Sequence, residues 1–355
     1  MYLYHKRITD KPINFPTLNS FGRIFRVHIF GESHGECAGL TIDGCPAGLP
    51  LSAEDFTADI ERRKPGAIGT TPRKEDDIPQ VKSGLFNGKT TGAPITILFE
   101  NKNTRSSDYE KQRAVPRPGH ADLVASKKFG GFEDYRGSGH FSGRLTVCLV
   151  AAGVIAKKIL PPPPPEGGTG VSITSRIIEI GGEADLDEGL QKAIDAKDTI
   201  GGIIECKVAG LPVGLGEPFF DSAESLISHA VFAIPAVRGI EFGTGFAAAK
   251  MFGSRHNDPI ADHSGKTFSN HAGGIVGGLT NGNELVFRIA VKPTSSTPKE
   301  QQTLNTATGN VEAFSVKGRH DLCIALRVPA VLESVTAIVL ADLMLLEQKI
   351  PRIIS

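Results

Sequence analysis

Apolar positions along the chain fall into two kinds of segment, which predict two kinds of element. Short runs rich in β-branched and aromatic residues predict strands, because such side chains favour extended backbone. These runs lie at residues 23–30, 92–100, 169–182, 201–212 and 283–293. Longer segments with helix-start signals or a high alanine and leucine content predict helices. These segments lie at residues 52–64, 143–160, 222–234 and 325–349.

Local sequence signals give further detail on three of the predicted helices. Ser52 is a favourable N-cap and is followed by acidic residues in the first turn. The Ala-Ala-Gly sequence inside 143–160 predicts a buried helix that its neighbours approach closely. Pro329 interrupts the segment 325–349, and because proline removes a helical hydrogen bond, this helix is expected to begin near Pro329.

The motif Gly-Glu-Ser-His-Gly at residues 31–35 follows the first predicted strand. It fits the Gly-x-Ser-x-Gly pattern in which a sharp turn carries a nucleophilic serine and leads directly into a helix. Here the next residues include three glycines and two prolines between 36 and 52, and these favour turns and short strands. A serine hydrolase with Ser33 as nucleophile is therefore the weaker interpretation of this motif.

The amino-acid composition argues against several classes of protein. The 355 residues carry 39 Lys and Arg and 39 Asp and Glu, which argues against a general binder of nucleic acid or membrane surfaces. Five cysteines form no Cys-x-x-Cys pair, so they predict neither a zinc site nor a disulfide framework, and they suit a reducing cytosol. No uninterrupted apolar run is long enough to span a membrane. We expect a soluble, cytoplasmic protein.

The chain length fits a single large domain. We expect one domain over 21–355, preceded by an N-terminal extension over 1–20. The proline-rich residues 161–168 are typical of a stiff surface connector between a helix and a strand.

Several polar segments combine glycine with histidine and arginine, which suits the binding of a small, highly anionic substrate. Glycine allows close backbone approach, and arginine binds phosphate and carboxylate in a bidentate manner. These segments lie at residues 31–35, 61–77, 116–123, 134–146, 254–278, 292–299 and 317–323. His256, His263 and His271 have spacings that match no metal site, so no metal is expected.

Taken in order, these segments resemble the chorismate synthase family from Phe21 to the end of the last predicted helix. The resemblance is carried by ten stretches: FGESHG, RRKPG, TPRKEDD, RPGHAD, DYRGSG, GRLT, GIEFGTGF, NHAGGIVGG, KPTSS and GRHD. It implies an α+β fold, a βαβ sandwich with helices between antiparallel sheets, assembled as a homotetramer. It also implies the 1,4-anti elimination of phosphate from 5-enolpyruvylshikimate 3-phosphate to give chorismate, with reduced FMN and no net redox change.

The resemblance assigns three catalytic residues. His34 would protonate the departing phosphate, His120 would lie by the flavin pyrimidine ring, and Asp321 would help to relay the proton taken from C6 of the substrate. The alternatives are that His34 caps a turn and that Asp321 only pairs with Arg319 or Arg327.

The resemblance also assigns binding residues. Those for the substrate are Ser33, Arg63, Arg117, Ser142, Arg144 and Arg319. Those for the flavin are His140, Phe141, Ser142, Ala236, Gly277, Lys292, Pro293, Thr294, Ser295, Ser296 and Arg319.

The chain departs from the common family pattern at three places. His140 and Phe141 replace an Arg-Ser pair, Pro235 replaces an asparagine, and the loop 67–74 is shortened, so that one anion contact is missing or supplied by Arg73. If His140 faces the ligand anions, affinity should fall between about pH 6.5 and 8.5 as it loses its proton. The alternative is that His140 points away, Phe141 packs, and Arg144 binds the anions.

Two further interpretations remain open. A flavin-binding protein without catalysis would carry a decayed site, which the retained His34, His120, Arg319 and Asp321 argue against. The sequence shows no separate nicotinamide site, which favours an external flavin reductase over reduction by NADPH within this chain.

Overall fold

The computed structural model describes residues 19–71, 76–102, 113–162, 170–316 and 320–354. The predicted extension 1–20 falls almost wholly outside these ranges, as do Arg73 and Arg319. The division of the chain at residue 20 therefore stays a prediction.

Seven α-helices and fifteen strands occupy the described part of the chain. The helices are α1 Thr57–Arg63, α2 Asp122–Phe129, α3 Thr146–Ile159, α4 Leu186–Ala196, α5 Ala223–Val231, α6 Gly253–His256 and α7 Pro329–Leu346. The longer strands are β2 Arg26–Gly31, β3 Cys37–Asp43, β7 Ile95–Glu100, β8 Ser172–Ile180, β9 Gly202–Ala209, β10 Val237–Phe242 and β13 Leu285–Val291. The shorter strands are β1 Ser20–Phe21, β4 Gln80–Val81, β5 Leu85–Phe86, β6 Lys89–Thr90, β11 Ile275–Val276, β12 Leu279–Thr280, β14 Gln301–Leu304 and β15 Val311–Phe314.

Two antiparallel sheets form the outer layers. The first has the strand order β1-β2-β3-β7-β4 and the second the order β10-β13-β9-β8. Their registers place apolar residues opposite each other, as in the pairs Ile42 with Ile95 and Phe287 with Cys206. The remaining short strands pair as the hairpins β5-β6, β11-β12 and β14-β15.

The central layer consists of α3 and α7, which pack against each other between the two sheets. Helix α3 contacts β2 and β3, whereas α7 contacts β8 and β9. The α+β fold with helices between antiparallel sheets is thereby confirmed. Each residue of α7 from Ala330 to Leu345 is buried. By length and hydropathy α7 could cross a membrane, but 89% of it is buried inside this structure, as expected for a core helix.

Polar side chains on α7 are paired, as burial demands. Glu333 accepts hydrogen bonds from both terminal nitrogens of Arg62, each at 2.7 Å, and from the Ser175 backbone at 3.0 Å. Asp342 accepts the backbone N–H groups of Arg23, Ile24 and Phe25 at 2.7 to 2.9 Å. These carboxylates tie α7 to α1, to the second sheet and to the turn before β2.

The predicted elements are confirmed, and most of their boundaries move inward by one to five residues. Two ends differ from this trend: β7 ends at the predicted residue, Glu100, and β2 ends one residue later than predicted, at Gly31. The last helix begins at Pro329, as proline at the first helical position allows. Helices α2 and α4 and strand β10 were not among the predicted elements. Helix α2, for instance, has the sequence DLVASKKF, in which only Ala125 is buried, so it lacks the apolar stripe on which recognition of a helix depends.

Gly153 makes the close crossing of the two central helices possible. A Cβ atom at this position would lie 2.3 Å from Cβ of Ser334 and 2.5 Å from its Cα. Neither neighbour can move without shifting the α7 backbone, so this glycine sets the separation of α3 and α7.

We predict that Gly153→Ala lowers the free energy of unfolding by about 2 kcal/mol or more, although alanine is the better helix former. Chemical denaturation measures this change in the free energy of unfolding. The matched control is Gly66→Ala, where no atom of the described residues lies within 4 Å of the added methyl group. Equal stability of the two variants would contradict the close crossing.

Candidate active site

The Gly-Glu-Ser-His-Gly motif forms the turn of a β-hairpin. Gly31 ends β2 and Cys37 begins β3, so the turn leads from strand to strand and not into a helix. This is not the structural context of a nucleophilic serine. Ser33 and His34 are both buried, and Ser33 Oγ has no hydrogen-bond partner among the described residues.

A glycine-rich segment, residues 136–141, is fastened onto this turn. The Ser33 N–H donates to Gly139 O at 3.0 Å, and His140 Nδ1 lies 2.8 Å from Gly31 O. Gly137, Ser138 and Gly139 have φ values of +56°, +72° and +52°. A Cβ atom on Gly137 would lie 2.3 Å from Cδ2 of His34, so only glycine allows the segment to cover the imidazole.

Two buried arginines share one carboxylate, in a group that we call the Asp77 cluster (Arg63, Asp77 and Arg144). Arg63 Nη2 donates to Asp77 Oδ2 at 2.7 Å, and Arg144 Nη1 donates to Asp77 Oδ1. Burial lowers the pKa of Arg63 to about 10, and Asp77 opposes this shift. Burial would raise the pKa of Asp77, but the two arginines outweigh it and hold that pKa below its usual value.

Asp321 lies beside the Asp77 cluster. Its Oδ1 accepts the Thr71 N–H at 2.9 Å, and its Oδ2 accepts from Arg327 Nη1 at 3.2 Å. Arg327 also donates through Nε to Arg63 O at 3.2 Å. Of the two ion-pair partners considered for Asp321, the pair with Arg327 is present, and Arg319 lies outside the described residues.

A second arginine is held in what we call the Asp122 cluster (Arg117, His120, Asp122 and Ser138). Arg117 donates to both carboxylate oxygens of Asp122 at 2.8 Å, and His120 Nδ1 lies 2.7 Å from Asp122 Oδ1. Ser138 Oγ accepts from Arg117 at 2.9 Å and lies 3.3 Å from His120 Nε2. Burial would raise the pKa of Asp122, but Arg117 and His120 hold it well below its usual range.

The Asp77 cluster lines a cavity of about 210 Å³, the first cavity, together with Arg117 and Ser138 of the Asp122 cluster. His120 and Asp122 line a neighbouring cavity. The polar lining of the first cavity consists of Arg63, Thr71, Asp77, Arg117, Ser138, Ser142, Arg144, Thr294, His320, Asp321 and Arg327. Thr146 at the start of α3, and Val328 and Val331 at the start of α7, also line it, as do Pro65, Gly137, Gly143, Ile234, Pro235 and Ile324. The two central helices therefore begin at this cavity, and their N-terminal dipole ends add to its attraction for anions.

Two further cavities adjoin the first. The second cavity, of about 230 Å³, shares Arg117 and Ser138 with it and is also lined by His120 and Phe141. The third cavity, of about 390 Å³, shares Ser142 and Pro235 with it and is largely apolar. The predicted site residues around Arg117 and Ser142 thus lie on walls common to neighbouring cavities.

The predicted flavin segment 292–296 follows β13 and runs along the same region. Thr294 lines the first cavity, and Ser296 Oγ accepts from Arg117 Nη1 at 3.0 Å. Lys292 Nζ donates to Ser295 Oγ at 2.6 Å, while its backbone N–H donates to Ala236 O at 2.9 Å. Ala236 has a φ of +74°, and Pro235 before it lines the first cavity.

Of the predicted site residues, six line the first cavity, namely Arg63, Arg117, Ser142, Arg144, Thr294 and Asp321. The other described ones are not among its lining residues, namely Ser33, His34, His120, His140, Phe141, Ala236, Gly277, Lys292, Pro293, Ser295 and Ser296.

Gly277, His140 and Phe141 have quite different surroundings. Gly277 lies in the turn of the β11-β12 hairpin, and this hairpin contacts Glu284 beside the start of β13. Lys292 follows the other end of β13. The length of the strand separates the two ends by roughly 20 Å. His140 lines the third cavity and binds Gly31 and Asn19, as in the alternative in which it points away from the anions. Phe141 packs against Phe129.

Sequence reasoning missed several residues of the site, namely Asp77, Asp122, Ser138 and His320. Burial and Arg117 lower the pKa of His320 to about 4, so its imidazole is neutral at pH 7. The sequence did contain a signal for Asp122, because this residue follows His120 by two positions within the motif RPGHAD. No sequence spacing indicates that Asp77 meets both Arg63 and Arg144.

Comparison with known proteins agrees with this arrangement. The family model described as chorismate synthase matches residues 25–345. A protein named chorismate synthase from Chitinophaga pinensis is 69% identical over 336 residues, covering 95% of this chain and 99% of that protein.

The chain belongs to the chorismate synthase family. More distant members give the same result: a chorismate synthase from Methanocaldococcus jannaschii is 41% identical over 365 residues, covering 92% of this chain and 96% of that protein. A solved structure, reported as a crystal structure of chorismate synthase, superposes with a TM-score of 0.69 at 25% identity, covering 92% of this chain and 93% of that one. The expected family and fold are thereby confirmed.

We predict that Asp122→Asn destabilises the protein by roughly 2 kcal/mol at pH 7, since it breaks the pairs with Arg117 and His120. Because the folded-state pKa of Asp122 is depressed, its contribution is present above the unfolded pKa near 3.9 and is lost as the pH falls below it. Denaturation at pH 7, 5, 4 and 3 should therefore show a difference that shrinks below pH 4.

The control is Asp262→Asn, which removes a fully exposed carboxylate. A wild-type advantage over Asp122→Asn that stays constant down to pH 3 would show that charge pairing does not supply the stability of the Asp122 cluster.

Proposed function

We propose that this chain catalyses the 1,4-anti elimination of phosphate from 5-enolpyruvylshikimate 3-phosphate, giving chorismate, in the presence of reduced FMN and without net redox change. The observation that carries this proposal is the first cavity, where Arg63, Arg117, Arg144 and Arg327 converge with the N-termini of α3 and α7. Such a site suits a small substrate that bears two carboxylates and a phosphate.

Unpartnered buried atoms at the site support the binding of further polar groups. Among the described residues, Ser33 Oγ, Arg63 Nε and Thr294 Oγ1 are buried without a hydrogen-bond partner. Unpaired buried polar atoms are rare and costly, so these atoms fit a site that is completed by its ligands. Arg63 and Thr294 line the first cavity, and Ser33 lies beneath Gly137 on its wall.

The residues present also fit a flavin phosphate and ring. Lys292, Thr294, Ser295 and Ser296 offer an ammonium group and hydroxyls within one short segment, and Arg117 with His120 borders it through Ser296. When bound, reduced FMN would supply electron density to the substrate as its C–O bond breaks. Hydroxyls and cations of this segment would hold the cofactor phosphate.

His34 is proposed as the acid that gives a proton to the departing phosphate. An imidazole can carry a proton near neutral pH, and a neighbouring phosphate favours the charged form. The Gly137 backbone packs directly over the ring, and Gly137 itself lines the first cavity, so His34 lies just behind the cavity wall. Ser33 would assist by binding the substrate through its unpartnered hydroxyl.

Asp321 is proposed to receive the proton that leaves C6 of the substrate. A carboxylate offers about four lone-pair positions, and within the described parts of the chain the Thr71 N–H and Arg327 occupy two of them, one on each oxygen. Asp321 therefore keeps accepting capacity while its orientation is fixed, and it lines the first cavity. The pair with Arg327 is compatible with this role.

The direct test is an anaerobic assay of phosphate release with chemically reduced FMN, repeated with oxidised FMN and with oxidised FMN plus NADPH. We expect release only with reduced FMN, and no release with NADPH if an external reductase is needed. Equal rates with oxidised and reduced flavin would contradict the proposal. Flavin binding without any release would favour the non-catalytic alternative, and labelling of Ser33 by a covalent serine probe would revive the hydrolase.

We further predict that His34→Ala lowers kcat by roughly 10²–10⁴, the usual contribution of a positioned acid, while flavin affinity changes little. Steady-state kinetics with reduced FMN and a flavin titration measure the two quantities separately. His263→Ala, a histidine remote from this site in an exposed loop, is the control. A nearly unchanged kcat in His34→Ala would assign the proton to another donor.

Cytoplasmic location and a homotetrameric assembly are part of the same proposal, since they follow from the family. Gly277 lies toward the opposite end of β13 from Lys292, so its flavin contact is not part of this proposal within one chain.

A further inference from the structure

Asp77 is a buried carboxylate to which the proposed reaction gives no role. Its side chain is only 1% exposed, yet it lines the first cavity. Each of its oxygens accepts from a different arginine, Oδ2 from Arg63 and Oδ1 from Arg144. A carboxylate between two guanidinium groups is the arrangement that an anionic ligand would itself make with them.

The two arginines are also held from their outer sides. Arg63 Nη1 donates to Thr146 Oγ1 at 3.1 Å, which ties it to the first turn of α3. Arg144 Nε donates to Asn101 Oδ1 at 3.0 Å, and its Nη2 donates to Glu100 O at 3.3 Å, next to β7. Asp77 lies between the two arginines and accepts hydrogen bonds from both, so their guanidinium groups are linked through one carboxylate.

Charge balance requires such an anion. Burial lowers the pKa of Arg63, and the charges of Arg327 and Arg144 lower it further, whereas Asp77 acts in the opposite direction. Removal of Asp77 would leave mutually repelling cations in a buried site, and breaking one partner of a buried pair is strongly destabilising.

We propose that Asp77 is a positioning residue whose carboxylate serves as a built-in anion between Arg63 and Arg144, holding both guanidinium groups in place on the cavity wall before an anionic substrate binds. The identity of that substrate rests on the proposed function. The role of Asp77 as an internal anion does not, and it can be tested without flavin or substrate.

The backbone at Asp77 makes asparagine a clean replacement. Asp77 has a φ of +52°, in the left-handed region that asparagine adopts at least as readily as aspartate. Asp77→Asn therefore removes the charge while adding neither bulk nor backbone strain.

The experiment is thermal unfolding of wild type and Asp77→Asn in inorganic phosphate, against sodium chloride of equal ionic strength. Without phosphate, Asp77→Asn should have the lower Tm. Phosphate should then raise its Tm by about 5 °C more than that of wild type, because an external anion replaces the missing carboxylate. Equal increments in the two proteins would overturn the proposal.

The matched control is Glu205→Gln. Glu205 is likewise a buried carboxylate between two arginines, with Arg176 at 3.2 Å and Arg288 at 3.3 Å, but it lies on β9 away from the first cavity. It should lose stability without gaining a phosphate response. A phosphate increment in Glu205→Gln as large as in Asp77→Asn would show a general effect of arginines that have lost their carboxylate partner and would also overturn the proposal.

A second variant covers the case in which Asp77→Asn does not fold. In Asp77→Asn/Arg144→Met, the carboxylate and one of its two cations are removed together, so the buried charge is again closer to balance. We expect this double variant to unfold at a higher temperature than Asp77→Asn, or to be soluble where the single variant is not, and to lose the phosphate response. A double variant no more stable than Asp77→Asn would contradict the role of Asp77 as a counter-anion.

Discussion

A guanidinium group removed from water must be given an anionic partner, because an unpaired buried charge destabilises a fold strongly. This chain meets that requirement twice, for arginines that line one cavity. Asp77 partners Arg63 and Arg144, and Asp122 partners Arg117, so three buried arginines remain charged where an anionic substrate is expected to bind. The carboxylates balance the cations without filling their hydrogen-bonding capacity, since Arg63 Nε has no partner among the described residues.

The position of the cavity follows from the sandwich. Arg63 ends α1, Arg144 lies two residues before α3, and Arg327 lies two residues before α7. Because these three helices pack together in the core, the helix ends bring the charged side chains to one place. The same packing excludes water, which strengthens each electrostatic contact within the site. The close crossing at Gly153 and the carboxylates of α7 hold these helices together and thereby stabilise the site at their ends.

Much of the fold could be predicted from the sequence because its signals were local. Pro329 marks the start of α7, and the runs of β-branched residues mark the main strands. Helix α2 was not predicted because its apolar residues are spread around the helix and only Ala125 is buried. The charged array could not be predicted from residue types alone, because Asp77 and Arg144 are 67 residues apart and only the folded chain places them in contact. The family resemblance indicated which arginines and histidines to expect, but not the carboxylates that hold them.

The most direct test of the account is a crystal structure of this chain with 5-enolpyruvylshikimate 3-phosphate and oxidised FMN, in which the unreactive flavin state preserves the substrate. We expect the substrate to lie in the first cavity, with its phosphate within hydrogen-bond distance of His34 and its carboxylates on the arginine wall. A substrate bound outside this cavity, or a phosphate remote from His34, would contradict the assignment of the site.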